Sequence, residues 1–169
     1  MIQLAIAGAA GRMGQSLVSA CEAHESFVLA HAFEQPGHAS VGQSAGGGQS
    51  PVILTDSIDG PLFDVLIDFT SPAASLANLA SCAEQGRKAV IGTTGFSDAD
   101  RERMAELAEK TAVVWAPNMS VGVNITLRLL ELAAGAFGDD VDVEIIEAHH
   151  RHKVDAPSGT ALKMGEVVA

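Results

Sequence analysis

Short apolar runs alternate with helix-spaced apolar positions through the first 120 residues of the chain. Ile2–Ala7 (IQLAIA) reads as a strand and runs straight into Gly8-Ala9-Ala10-Gly11-Arg12-Met13-Gly14. Beyond these glycines Met13, Leu17 and Cys21 recur every four residues with Val18 beside them, which predicts a helix with one apolar face. Phe27–Phe33 (FVLAHAF) is a second strand and meets Glu34. The third strand is residues 64–69 (DVLIDF), followed by Ser71-Pro72 as N-cap and first helical residue of a helix to about residue 85. Lys88–Ile91 is a strand ending in Gly92-Thr93-Thr94-Gly95. A helix over 98–110 follows, with Ser97 and Asp100 placed as a capping box, and a strand over 112–115 ends in Ala116-Pro117-Asn118-Met119-Ser120.

Short, nearly all-apolar strands alternating with helices predict a parallel sheet covered on both faces. The Pro- and Gly-rich stretch 35–51 reads as an exposed, mobile loop. The pattern changes near residue 121. Val123, Leu127, Leu130, Ala134 and Phe137 are spaced 4, 3, 4 and 3 apart, and Ile125, Leu129 and Leu132 widen the stripe, so this helix is expected to be buried on more than one side. Residues 141–148 alternate apolar and acidic and predict a strand with one wet face. The fold class expected is α/β: a Rossmann-type parallel sheet with helices on both faces, then the start of a mixed α+β substrate domain. The boundary falls near Ser120, giving a dinucleotide-binding domain over 1–120 and an incomplete substrate-binding domain over 121–169.

Composition narrows the function. With 10 Lys+Arg against 21 Asp+Glu the formal charge is −11, which argues against a nucleic-acid binder. No apolar run approaches the roughly 18 residues of a membrane span, and the opening residues lack a signal-peptide pattern. Two cysteines, Cys21 and Cys82, both in apolar helical patterns, read as buried reduced thiols of a cytoplasmic protein.

Three stretches carry chemistry. Glycines at 8, 11 and 14, between a strand and a helix, leave backbone N–H groups open to a pyrophosphate with no Cβ in the way. Glu34 stands 20 residues past Gly14, where an acid binds the adenosine ribose hydroxyls. Gln35 beside it supplies no cation for a 2′-phosphate, which favours NADH over NADPH, although Arg12 is within the glycine turn. The turns at Gly92-Thr93-Thr94 and Ala116-Pro117-Asn118-Met119 end further strands and should border the same crevice, nearer the nicotinamide.

The third stretch is His149-His150-Arg151-His152-Lys153, with Ser158-Gly159-Thr160 opening the last helix. Crowded cations lower one another's pKa and attract a small dianion, and the helix N-terminus suits a carboxylate. A metal site is disfavoured by the absence of acidic or thiol ligands at suitable spacing, so none is expected; a solvated surface run is the plainer alternative.

Together, Gly8-Ala9-Ala10-Gly11-Arg12-Met13-Gly14, Gly92-Thr93-Thr94-Gly95-Phe96, residues 118–124 (NMSVGVN) and residues 147–161 (EAHHRHKVDAPSGTA) resemble the 4-hydroxy-tetrahydrodipicolinate reductase (dihydrodipicolinate reductase) family over essentially the whole chain. The resemblance implies NADH- or NADPH-dependent reduction of a cyclic imine to tetrahydrodipicolinate, in the diaminopimelate route to lysine. It implies cofactor binding by Gly8, Ala9, Ala10, Gly11, Arg12, Met13, Glu34, Gly92, Thr93, Thr94, Ala116, Pro117, Asn118 and Met119. His149 would be the general acid/base and Lys153 the second proton donor; His150, Ser158, Gly159 and Thr160 would hold the carboxylates of a small dicarboxylate substrate. It also implies a cytoplasmic homotetramer. Members often carry Arg where this chain has Gln35, and they run well beyond residue 169. A fragment with an intact cofactor site and low turnover is therefore expected, with a non-catalytic dinucleotide-binding module as the alternative.

Overall fold

The computed structural model describes residues 1–48, 50–149, 151 and 156–169. The chain divides into two compact units, Met1–Ala116 and Pro117–Ala169.

The first unit is a five-stranded parallel sheet of β1 (Ile2–Ala7), β2 (Phe27–Phe33), β3 (Val65–Asp68), β4 (Lys88–Ile91) and β5 (Val113–Trp115), in the order β2-β1-β3-β4-β5. Because β2 lies on one side of β1 and β3 on the other, the order reverses at β1, which opens a crevice beyond the carboxyl ends of β1 and β3. β1 alternates across the sheet: Leu4 and Ile6 face one core, Ala5 and Ala7 the other. On the first face lies α1 (Arg12–Glu22), whose Val18 and Cys21 are buried beside Leu29 and Ala32. On the second face the core of Leu66, Leu79, Cys82, Ile91, Met104 and Leu107 includes residues of α3 (Pro72–Glu84) and α4 (Asp98–Ala108). Helices thus cover both faces of the sheet.

The buried stripe of α1 is Gly14, Val18 and Cys21; Met13 is half exposed at 49%. Val18 and Cys21 of the expected face are buried and Leu17 packs against the same core, while Met13 stays outside it and Gly14 takes its place, because Gly14 lets the helix approach the turn closely. The capping box at Ser97 forms as expected: Ser97 Oγ accepts from the Asp100 N–H (3.2 Å) and Asp100 Oδ2 from the Ser97 N–H (2.9 Å). The Ser97 hydroxyl, which donates to Asp100 Oδ2 (2.7 Å), and after it the Ser97 N–H hold the exposed Asp100 carboxyl below its usual range. Both thiols are buried and free, and desolvation pushes Cys82 up to about 11.

The 35–51 stretch is not simply exposed. A four-residue helical turn, α2 (Ala45–Gly48), holds Gly46 and Gly47 at φ 62° and 67°, and Ala45 is fully buried in the α1-side core. Ala45 N–H donates to Val52 O (2.8 Å) and Leu54 N–H to Gln43 O (2.9 Å), so the segment folds back along itself. A glycine-rich composition signalled the turn but not the single alanine that anchors it.

The second unit comprises α5 (Val121–Phe137), a 3-10 turn (Gly138–Asp140) and α6 (Gly159–Val168), which packs on α5. Of the expected stripe, Val123, Leu127, Leu130 and Ala134 are half-buried, whereas Phe137 is 60% exposed. The second stripe is not covered: Ile125, Leu129 and Leu132 are 55–60% exposed, and α5 buries no residue fully. The strand expected over 141–148 is likewise not formed. Among the described residues nothing pairs with it, and a strand needs a hydrogen-bonding neighbour.

Leu79, fully buried between α3 and the sheet, tests the first unit's core. Leu79→Ala is expected to cost about 2–5 kcal/mol, read as a lower midpoint in urea with unchanged slope.

Candidate functional site

β1 ends at Ala7 and the chain turns at Gly8, whose φ of +64° is left-handed. Gly11 N–H donates to Gly8 O (3.0 Å) and Ala9 N–H to Phe33 O (3.2 Å), which fastens the turn to the end of β2. Gly11 caps α1 with no side-chain hydrogen bond, so the helix opens on its backbone amides alone. A Cβ on Gly14 would stand 2.2 Å from Gly8 O and 2.5 Å from Ala9 Cα, and one on Gly8 would stand 2.9 Å from Thr70 Cγ2. Backbone fills the place of a side chain at Gly14, and at Gly8 the left-handed φ and the Thr70 methyl exclude one. The cleft above this turn has a volume of about 480 Å³ and is lined by Gly8, Gly11, Arg12, Met13, Gly14, Ser16 and Phe69. Its shape fits a dinucleotide pyrophosphate: amides at a helix N-terminus, no side chain between, and the exposed Arg12 at the rim.

Glu34, at the end of β2, is brought to the same turn. Its Oε1 accepts from Ala10 N–H (2.9 Å) and its Oε2 from Gln35 N–H (3.3 Å). The carboxylate therefore braces the glycine turn.

The Gly92-Thr93-Thr94 turn packs on Phe69, a wall of that cleft, without lining the cleft itself: the place of a Cβ on Gly92 is 1.9 Å from the Phe69 ring. Thr93 is buried and Thr94 exposed. Trp115 at the end of β5 donates its indole N–H to Thr93 O (3.1 Å) and stands edge-on to Phe96. Ala116 N–H donates to Ile91 O (3.2 Å), so Ala116 continues the β4–β5 pairing. Pro117, Asn118 and Met119 belong to the second unit. There Asn118 Oδ1 accepts from Ser120 N–H (2.8 Å), and its carbonyl accepts from the Asn124 amide (3.1 Å).

Asp68, Thr70 and Ser75 were not singled out from the sequence. Asp68 sits in an apolar strand pattern, where an acid reads only as the strand's end. In the fold it is fully buried and gathers hydrogen bonds from Thr70 just past β3, from Ser75 and Asn78 of α3 and from Thr93 in the turn after β4.

In the second unit, His149 Nδ1 lies 3.1 Å from Glu147 Oε2, and Glu147 Oε1 accepts from the Ser158 N–H (2.7 Å). Ser158 is buried and caps α6, its Oγ accepting from Ala161 N–H (3.1 Å), while Gly159 and Thr160 form the helix's first turn. One carboxylate thus joins the histidine to the helix start, an arrangement that the sequence pattern left unread. A cavity of about 620 Å³ lies beside it, walled by Ile145, Glu147, Ala156, Pro157, Ala161, Leu162 and Gly165. His150 and Lys153 lie outside the described residues. No cluster able to hold a metal is present among the described residues.

The sheet order, the glycine turn and the acid at the end of β2 define a dinucleotide-binding α/β protein of the Rossmann type. Residues 2–119 match the family model for the dihydrodipicolinate reductase N-terminus, and residues 122–169 that for its C-terminus. The chain belongs to the dihydrodipicolinate reductase family.

The dipicolinate-bound dihydrodipicolinate reductase from Paenisporosarcina sp. TG-14 is 32% identical, with a TM-score of 0.81 over 100% of this chain and 66% of that one. This chain therefore spans just under two-thirds of that relative's length. Two further structures share the fold. The WlbA dehydrogenase from Chromobacterium violaceum, solved with NADH and UDP-GlcNAcA, is 18% identical (TM-score 0.61, 80% of this chain and 40% of that one). Aspartate semialdehyde dehydrogenase II from Vibrio cholerae is 16% identical (TM-score 0.51, 82% and 47%).

Proposed function

We propose that this chain carries the cofactor site and the catalytic segment of an NAD(P)H-dependent reductase. Its reaction is reduction of the cyclic imine from 4-hydroxy-tetrahydrodipicolinate to tetrahydrodipicolinate, in the diaminopimelate route to lysine. The observation that carries the reading is the glycine turn packed so closely that neither Gly8 nor Gly14 has room for a side chain, in a chain that both family models match. When bound, the nicotinamide supplies the hydride.

The residues of the chain do the rest. Amides of Arg12 and Met13 hold the pyrophosphate over the turn of Gly8, Ala9, Ala10 and Gly11, and Gly92, Thr93, Thr94 and Ala116 serve the nicotinamide half. Glu34 receives the ribose hydroxyls. With Gln35 and not a cation beside it, Glu34 repels a 2′-phosphate, so NADH binds more tightly than NADPH. With Nδ1 of His149 directed at Glu147, its Nε2 is the atom left to deliver a proton to the reduced substrate, and Lys153 is the second donor. His150, Ser158, Gly159 and Thr160 receive the carboxylates, in keeping with the dipicolinate bound by the Paenisporosarcina relative.

We place the protein in the cytoplasm; among the described residues no helix is long and apolar enough to cross a membrane. The uncovered apolar stripe of α5 supports association into the homotetramer. The boundary between cofactor and substrate domains is placed at residue 120.

A second reading, a dinucleotide-binding module without catalysis, draws on the 141–148 segment before His149, which forms no strand among the described residues. Titration with NADH and NADPH, followed by NADH oxidation with freshly made imine substrate, separates the readings. Tighter NADH binding with substrate-dependent oxidation is the expected result. Binding without oxidation favours the module, and no binding of either nucleotide overturns both.

A further inference from the structure

Among the described residues Asp68 is the only buried carboxylate, at 0% exposure. Burying an acid is costly unless donors surround it, and a packed apolar residue would serve stability as well. Asp68 is surrounded. Its Oδ1 accepts from Thr70 N–H (3.0 Å), Thr70 Oγ1 (2.6 Å) and Ser75 Oγ (2.9 Å), and its Oδ2 from the Asn78 amide (2.8 Å). Ser75 Oγ also lies 2.8 Å from Thr93 Oγ1, which accepts from Thr70 N–H at 2.9 Å. The cluster touches the cleft at Gly8 and the β4 turn at Thr93. Thr70 Cγ2 presses on Gly8, and Thr93 carries the carbonyl that receives the Trp115 indole N–H.

We propose that Asp68 is the positioning residue of the dinucleotide site: its carboxylate fixes Thr70 against the glycine turn and Thr93 in the β4 turn, setting the spacing between the two. This rests on the cofactor reading above. Asp68 touches no cofactor itself; it acts through Thr70, Ser75 and Thr93. The position follows from the topology, since the carboxyl end of β3 lies between those of β1 and β4.

The test uses the whole chain and the polarity of the cluster. Asp68→Asn removes the charge that strengthens all four hydrogen bonds, and its N–H₂ finds an acceptor only if the Asn78 amide turns its own oxygen inward. Exchanging the pair, Asp68→Asn with Asn78→Asp, restores an acceptor for every donor and keeps the single charge.

Two readouts are taken. Trp115 is the chain's only tryptophan, so its emission without any nucleotide reports the Thr93 carbonyl. NADH affinity is measured by titration. Asp68→Asn is expected to shift the Trp115 emission to the red and to weaken NADH about tenfold. The exchanged pair is expected to recover both. A folded Asp68→Asn chain with unshifted emission and affinity within about twofold of the parent overturns the proposal, as does a double variant no better than the single one. Should Asp68→Asn fail to fold, Ser75→Ala is judged by the same two readouts: a change in both supports the proposal, and parental values overturn it. Failure of the parent chain to bind NADH would count against the cofactor reading alone, because the emission shift and its rescue are read without nucleotide.

Discussion

A Gly14→Ala chain is expected to lose NADH affinity roughly a hundredfold and to unfold about 1–3 kcal/mol more easily than the parent. The added methyl would sit 2.2 Å from Gly8 O and 2.5 Å from Ala9 Cα, both main-chain atoms that no rotamer change can move. Either α1 retreats or the turn opens, and both displace the amides that face the cleft. Two charge-assisted hydrogen bonds lost at about 1.5 kcal/mol each give the hundredfold figure. Gly135→Ala is the control: nothing lies within 4 Å of the added methyl inside α5, so affinity stays parental. Titration and thermal unfolding of both variants decide the matter, and a Gly14→Ala chain that binds NADH like the parent would remove the glycine turn from the site.

The second large effect falls on turnover. His149→Ala is expected to lower substrate-dependent NADH oxidation by about 10²–10⁴ while leaving NADH affinity unchanged. Glu147→Gln should cost less, because its amide oxygen can still accept from Nδ1 and hold the ring. Single-turnover oxidation with saturating NADH, alongside a binding titration, separates the two quantities. Equal losses of affinity and rate in His149→Ala would show a structural defect in place of a lost proton donor.

The sequence was most readable where local chemistry and fold agree. Glycines at 8, 11 and 14 announce a turn because only glycine tolerates both the left-handed φ at 8 and the backbone contact at 14. Ser97 and Asp100 announce a helix start because a capping box is complete within four residues. What went unread depends on partners distant in sequence. Asp68 looks like a strand-end acid until α3 and the β4 turn bring Ser75, Asn78 and Thr93 to it. Ala45 looks like loop until its neighbours fold onto the α1 side of the sheet.

The helix and strand past residue 120 were misread for a related reason. Apolar periodicity records that a face needs a cover, not what covers it. In α5 the Val123–Leu127–Leu130 stripe is half-buried and the Ile125–Leu129–Leu132 stripe is not. The alternation over 141–148 has the strand period, yet among the described residues no neighbour completes the ladder. For the catalytic segment, the run of cations drew attention to His149, whereas Glu147, which joins it to the buried cap Ser158, was visible only as part of a motif.

The central claim is that a dinucleotide lies across the carboxyl ends of β1, β3 and β4, its phosphates on the glycine turn. Backbone amide resonances followed by NMR during an NADH titration address it directly, residue by residue. The account predicts saturable shifts at Ala10, Gly11, Arg12, Met13, Thr93 and Thr94. Shifts elsewhere with those six amides unmoved would contradict it.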